Sequence, residues 1–164
     1  MDSRETLERL LPLFKRYYNV DTEDVGEPFD ATAVFMNHNE QYVLVKEAHI
    51  ADIDSNEYVF FASCDTLDIE KLINYDKSAW EQGTAKIEPY YGHRNSDVTL
   101  IITADDISED VIKQIRKFRH SATYKFGFYG WSNYRLAVIE CNKKRAFFNH
   151  HGRSLKKLVN SILS

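Results

Sequence analysis

Residues 98–104, VTLIITA, form a nearly continuous apolar run seven positions long. A run of that length, too short for a buried helix and rich in β-branched residues, reads as a strand buried on both faces. It lies between two helical patterns. On one side Leu67, Ile69, Leu72, Ile73 and Trp80 recur at helical spacing after Asp65 or Thr66 as the cap, with Gly83 as the stop. On the other, Ile107, Val111, Ile112, Ile115, Phe118, Ala122 and Phe126 do so from Asp106, and no Gly, Pro, Asn or Asp interrupts residues 111–126. That helix is predicted to end at Gly127, with strand as the alternative for residues 121–128.

The flanking segments add strands. FDATAVFMN (29–37), EQYVLVKEAHIADI (40–53) and NEYVFFASC (56–64) are β-branched and aromatic with short polar joints, the pattern of an antiparallel meander. YRLAVIEC (134–141) and RAFFNH (145–150) flank a polar turn and predict a hairpin, followed by a terminal helix from Ser154 that buries Leu155, Leu158, Val159 and Ile162. At the start, Leu7, Leu10, Leu11, Phe14 and Tyr18 keep helical spacing behind a capping box of Asp2 and Glu5, and Pro12 is expected to kink or divide this helix. The polar stretch 19–28 reads as a connection, and 86–97 as a loop.

The expected fold is therefore α+β. An antiparallel sheet is built from the three-stranded meander and the C-terminal hairpin, joined by the strand at 98–104, with helices packed mainly on one face. At 164 residues one domain is the default, with residues 1–18 its N-terminal helical segment.

Charge is distributed unevenly. Residues 111–164 hold twelve Lys/Arg against the single acid Glu140, a net +11, which leaves −15 for residues 1–110. Such polarity predicts either internal neutralisation, acidic-to-basic self-association, or an acidic or polyanionic partner. No apolar run approaches the ~20 residues that span a bilayer, so no membrane partner is expected. Two isolated cysteines, Cys64 and Cys141, lack disulfide or metal spacing and point to a cytoplasmic protein.

The basic residues define the candidate site. Lys113, Arg116, Lys117 and His120 fall on one face of the predicted helix, away from its apolar face. Arg119 adds charge, and Arg153 stands near the start of the last helix, where free N–H groups favour anions. Tyr129 and Trp131, in the stretch KFRHSATYKFGFYGWSNYRL (117–136), offer flat contacts, although core packing is the commoner fate of such rings. Nucleic acid is a second candidate partner. An RNA-recognition motif is disfavoured, because FGFYGW lacks the glycine expected before Phe126 and follows a helix rather than a strand.

Standard catalytic patterns are missing. The order α, β, β, β, α, β matches the PD-(D/E)XK nuclease core, yet no lysine has Asp or Glu two positions before it, which leaves an inactive nuclease-like fold as the alternative. Glycines at 26, 83, 92, 127, 130 and 152 assemble neither a P-loop nor a dinucleotide fingerprint, so no cofactor is expected. Glu47 and His49 share one side of a strand, but His150 and His151 point to opposite sides, and no metal site is predicted. An enzyme with a non-standard pocket would draw on Glu47 and His49 together with His93 and Arg94 in the YYGHRNSD loop.

The combination of FGFYGW, a hairpin and NHHGRSL entering a short helix resembles the C-terminal part of an uncharacterised family of small prokaryotic proteins, a domain of unknown function. That resemblance spans about the last sixty residues and implies a prokaryotic cytoplasmic origin without a mechanism. The expected function is a non-enzymatic interaction module, self-associating as a homodimer or meeting an acidic protein surface or anionic ligand through its basic C-terminal segment.

Overall fold

The computed structural model describes residues 1–35, 55–87, 95–127 and 130–164. Among the described residues four helices flank one mixed sheet of seven strands, so the α+β class stands. The elements are α1 (Ser3–Lys15), β1 (Asn19–Asp21), β2 (Ala31–Phe35), β3 (Ser55–Leu67), α2 (Ile69–Ala85), β4 (Asn95–Ile107), α3 (Glu109–Gln114), β5 (Ser121–Thr123), β6 (Trp131–Glu140), β7 (Arg145–Phe148) and α4 (Lys156–Leu163). Short 3₁₀ turns at Ile115–Lys117 and His151–Leu155 extend α3 and lead into α4.

Strand order is β1-β2-β3-β4-β6, and β5 and β7 both pair with β6, at its start and its end respectively. Most pairings are antiparallel as expected, but the two central ones, β3 with β4 and β4 with β6, are parallel. The reason is local: α2 carries the chain back across the sheet before β4 begins, and a helical crossover returns the next strand in the same direction. The apolar run at 98–104 thus becomes the middle of the central strand, buried throughout from Asn95 to Ala104.

Burial of that strand on both faces requires cover on both. Even-numbered residues such as Phe60, Leu100 and Leu136 pack with Leu72, Ala79, Val111 and Ile115 of α2, α3 and the turn that follows. Odd-numbered residues such as Phe61, Ile101 and Ile139 pack with Leu10, Phe14, Leu155 and Val159 on the α1 and α4 side. Helices therefore cover both faces rather than mainly one. The contact on the α2 side is close: a Cβ at Gly83 would lie 2.6 Å from Val98 Cγ2 and 3.2 Å from the Phe60 ring. Gly83 sits inside α2, which continues to Ala85, so it is a packing glycine and not the helix stop.

Several local expectations change. The capping box of Asp2 and Glu5 forms as predicted, and α1 runs undivided through Pro12, whose ring lies on the exposed side. Residues 19–21, expected in a connection, form β1 against β2. β3 runs on to Leu67, which moves the α2 cap to Asp68, whose carboxylate accepts from Lys71 N–H at 2.8 Å. β2 pairs directly with β3, and the second meander segment, 40–53, lies outside the described residues.

The largest correction concerns residues 111–126. The helix ends after Gln114, tightens into 3₁₀ to Lys117, and reaches extended backbone at Phe118 (φ −80°, ψ 94°). Residues 121–123 then pair with β6 as β5. Helical spacing of Phe118, Ala122 and Phe126 is coincidental: unsatisfied N–H and C=O groups on the start of β6 offer a ladder that outweighs weak helix propensity in HSAT. The hairpin of β6 and β7 forms as predicted, with Lys144 in the left-handed region of its turn.

Candidate anion-binding cleft

A cleft of about 430 Å³ opens where three elements meet. Ile112, Ile115 and Arg116 line it from α3 and its 3₁₀ extension, Ala146, Phe147 and Phe148 from β7, and Arg153 and Lys156 from the last helical segment. Ile115 is buried and the other apolar lining residues are half-buried, whereas Arg116, Arg153 and Lys156 are exposed. An apolar floor with cations at the rim suits an anionic group carried on a partly apolar body. None of these three cations forms an ion pair among the described residues.

Asn149 holds the two arms of the cleft together. It is 1% exposed. Its Oδ1 accepts from Leu136 N–H at 2.9 Å and Gly152 N–H at 2.8 Å, and its Nδ2 donates to the Phe118 carbonyl at 2.9 Å and the Tyr134 carbonyl at 3.0 Å. Phe118 is two residues past Arg116 and Gly152 immediately precedes Arg153, so one amide fixes both arginine-bearing segments to β6. Gly152 leaves no room for a side chain, because a Cβ there would collide with the Leu136 carbonyl and Asn149 Oδ1. NHHG is therefore a structural joint whose amide and glycine are both required.

The predicted site residues do not all gather here. Arg116 and Arg153 converge, 37 positions apart in sequence. Lys113 and Lys117 are exposed on the same helical segment but do not line the cleft. Arg119 lines a different cavity. Trp131 is 44% exposed at the opposite end of β6 from β7, so the core-packing expectation for it is corrected. At ~3.3 Å per residue its Cα lies about 23 Å along the strand from Val138, which pairs with Phe147. Tyr129, together with Glu47, His49, His93 and Arg94, lies outside the described residues. Lys156, Ile112 and Phe147 were missed; the apolar run AFF (146–148) followed by Arg153, Lys156 and Lys157 was the available signal.

Two further polar clusters lie within the fold. On the α1 face, Arg135 of β6 bridges Glu57 of β3 and Asp97 of β4, each at 2.8 Å, with all three side chains buried. Tyr18 reaches both Glu57 oxygens at 3.4 Å. Burial raises the Glu57 carboxyl above its ordinary value although Arg135 acts to lower it, and burial next to Glu57 pushes the Tyr18 phenol well up. This cluster unites an acid-rich and a base-rich part of the chain, so part of the charge polarity is neutralised internally.

On the opposite face, His120 Nε2 lies 2.8 Å from Asp76 Oδ2. The imidazole stacks on Trp80 (5.1 Å, 16°) and meets the Tyr134 ring edge-on (4.8 Å, 71°). Asp76 Oδ1 and the Tyr134 hydroxyl are buried without a hydrogen bond, and burial beside Asp76 pushes the phenol well above its ordinary value. A cavity of about 200 Å³ adjoins, lined by Arg119, His120, Ser121, Tyr134, Asn149, His150 and His151. Partial burial and neighbouring His150 hold His151 below the ordinary imidazole value. Among the described residues no three His, Cys, Asp or Glu side chains are placed to hold a metal.

Comparison of the chain with known families places these features in context. A family model described as Domain of unknown function (DUF8052) matches residues 2–161. The chain belongs to that family. The match extends over nearly the whole chain, well beyond the C-terminal sixty residues in which the resemblance was seen, so α1, both cores and the cleft all fall within the DUF8052 domain. No curated protein and no solved structure matches the chain.

Proposed function

We propose that this protein is a binding module rather than an enzyme, and that the cleft between α3, β7 and the start of α4 receives an anionic group of a protein partner or ligand. One observation carries this reading: Arg116 and the pair Arg153 and Lys156 come from two segments distant in sequence yet line one apolar-floored cleft, and no described acid pairs with them. Surface cations placed by chance do not require a shared amide joint to set their spacing, whereas Asn149 ties both arms. A nucleic-acid reading has less support, since exposed Trp131 and Phe126 stand at the other end of β6 from the cleft cations.

Fluorescence titration with polyglutamate at two salt concentrations tests the reading. Binding should weaken as salt rises, and the double variant Arg116→Glu/Arg153→Glu should lose at least tenfold in affinity, whereas Lys143→Glu/Lys144→Glu, on the β6–β7 turn, should lose much less. Equal losses in both variants would reduce the effect to overall charge.

A second reading, an enzyme with a non-standard pocket, draws on the His120–Asp76 pair at the adjoining cavity. A carboxylate that orients an imidazole equips it as a general base. A hydrolytic activity of the wild-type protein that disappears in His120→Gln would favour it.

A further inference from the structure

The anion-binding cleft also runs along an edge of the sheet that no described strand covers. β7 pairs with β6 alone among the described residues, and three consecutive β7 residues, Ala146, Phe147 and Phe148, line the cleft. Consecutive residues of a strand point to opposite faces, so all three line one cavity only if it runs along the strand's edge.

The register shows which backbone groups face it. Asn149 N–H donates to the Leu136 carbonyl at 3.1 Å, which makes 136 with 149 a hydrogen-bonded pair of the antiparallel ladder. Such pairs alternate. Val138 with Phe147 and Glu140 with Arg145 are then the next ones, and Ala146 and Phe148 direct their N–H and C=O groups away from β6. No described residue accepts from either N–H or donates to either carbonyl.

We infer that the anionic partner is an extended acidic peptide segment of another protein, which adds as a further strand to the edge of β7. This rests on the reading of the cleft as an anion site and specifies its occupant. Exposed, unpaired strand edges are templates for strand addition, and the added backbone satisfies the outward groups of Ala146 and Phe148. Charge selects the sequence. Arg116 stands on one side of the edge, on the segment that packs against the α2 face, and Arg153 and Lys156 stand on the segment that leads into α4 on the other. An added strand alternates its side chains between those sides, so acidic residues on both faces meet cations. Apolar side chains at the centre would meet Ile112 and Phe147.

The test uses the full chain, isotopically labelled, and a synthetic seven-residue peptide with two glutamates at each end and three valines between them, which puts acidic residues on both faces of the added strand. Two N-methylated forms carry the methyl groups on alternate sets of amides, so only one form blocks the amides that face β7. Expected are at least tenfold slower exchange of the Ala146 and Phe148 amides on saturation, and at least tenfold weaker binding for one N-methylated form only. If both methylated forms bind as the parent does, strand addition is overturned while the anion cleft survives. If the parent peptide binds and Arg116→Glu/Arg153→Glu leaves its affinity unchanged, both readings fall. If the peptide does not bind and those amides are protected only as protein concentration rises, the occupant is a second copy of this chain and the inference is overturned.

Discussion

Asn149 satisfies four backbone groups with one side chain, through three buried hydrogen bonds and a part-buried one to Phe118. Replacement by Ala strands all four. Each bond contributes about 1 kcal/mol net, and an unmet buried group costs more, so Asn149→Ala should lose about 3–4 kcal/mol in urea denaturation. Asn149→Asp should lose a comparable amount, since a carboxylate keeps the acceptor for Leu136 and Gly152 but cannot donate to Phe118 or Tyr134. Arg135 poses the same question with charge. Arg135→Ala leaves Glu57 and Asp97 facing one another in a buried site, and a loss of about 3–5 kcal/mol is expected. Adding Glu57→Gln should recover part of that loss; a double variant no more stable than the single would contradict the pairing. Cys64 gives a pH-dependent case. Burial raises its thiol to about 11, despite a lowering contribution from Lys71. The folded protein favours the neutral thiol, so this group's contribution is intact below the ordinary thiol range near 8.5 and is lost as pH rises toward about 11. Alkylation of Cys64 in the native protein should accordingly be slow at pH 8 and accelerate up to about pH 11.

At the scale of elements, α2 is pinned against the sheet by a glycine and started by an aspartate. Gly83→Ala brings a methyl group into the Val98 side chain and should cost about 1–3 kcal/mol, against the small gain that alanine normally brings to a helix. Asp68→Ala removes the cap of the same helix and should cost about 1 kcal/mol. Thermal melts of the two variants separate the causes: a packing clash also perturbs the near-UV signal of the aromatic core, whereas a lost cap does not. Elements of this kind were readable where burial dictated the pattern. The central strand, the capping box of α1 and the β6–β7 hairpin all follow from apolar runs, cap chemistry and turn residues that act locally. β5 was not readable, because HSAT has no strand pattern of its own and is extended only by the free edge of β6. Gly83 looked like a stop for a related reason: glycine marks both helix ends and close packing, and only the position of Val98 distinguishes them.

For the whole molecule, cover on both faces was implied by the double burial of residues 98–104, yet no local signal states which helix takes which face. The cleft was half readable. Arg116 and Arg153 stood out by charge, but their convergence depends on Asn149, whose role is invisible until β6, β7 and the 3₁₀ turn are assembled. The sheet predicts a gradient of amide exchange. β4, buried from Asn95 to Ala104 and paired on both sides, should exchange slowest, and the three-residue edge strands β1 and β5 fastest. A uniform rate across the sheet would contradict that arrangement.

The bridge from Arg135 to Glu57 and Asp97 also has a direction in time. A chain under synthesis presents β3 and β4 first, and with them two acids destined for a buried site, while the arginine that neutralises both arrives only with β6. Until then the central strand has one open edge and the carboxylates repel one another. Pairing of β6 with β4 therefore completes the centre of the sheet and neutralises both acids in the same event.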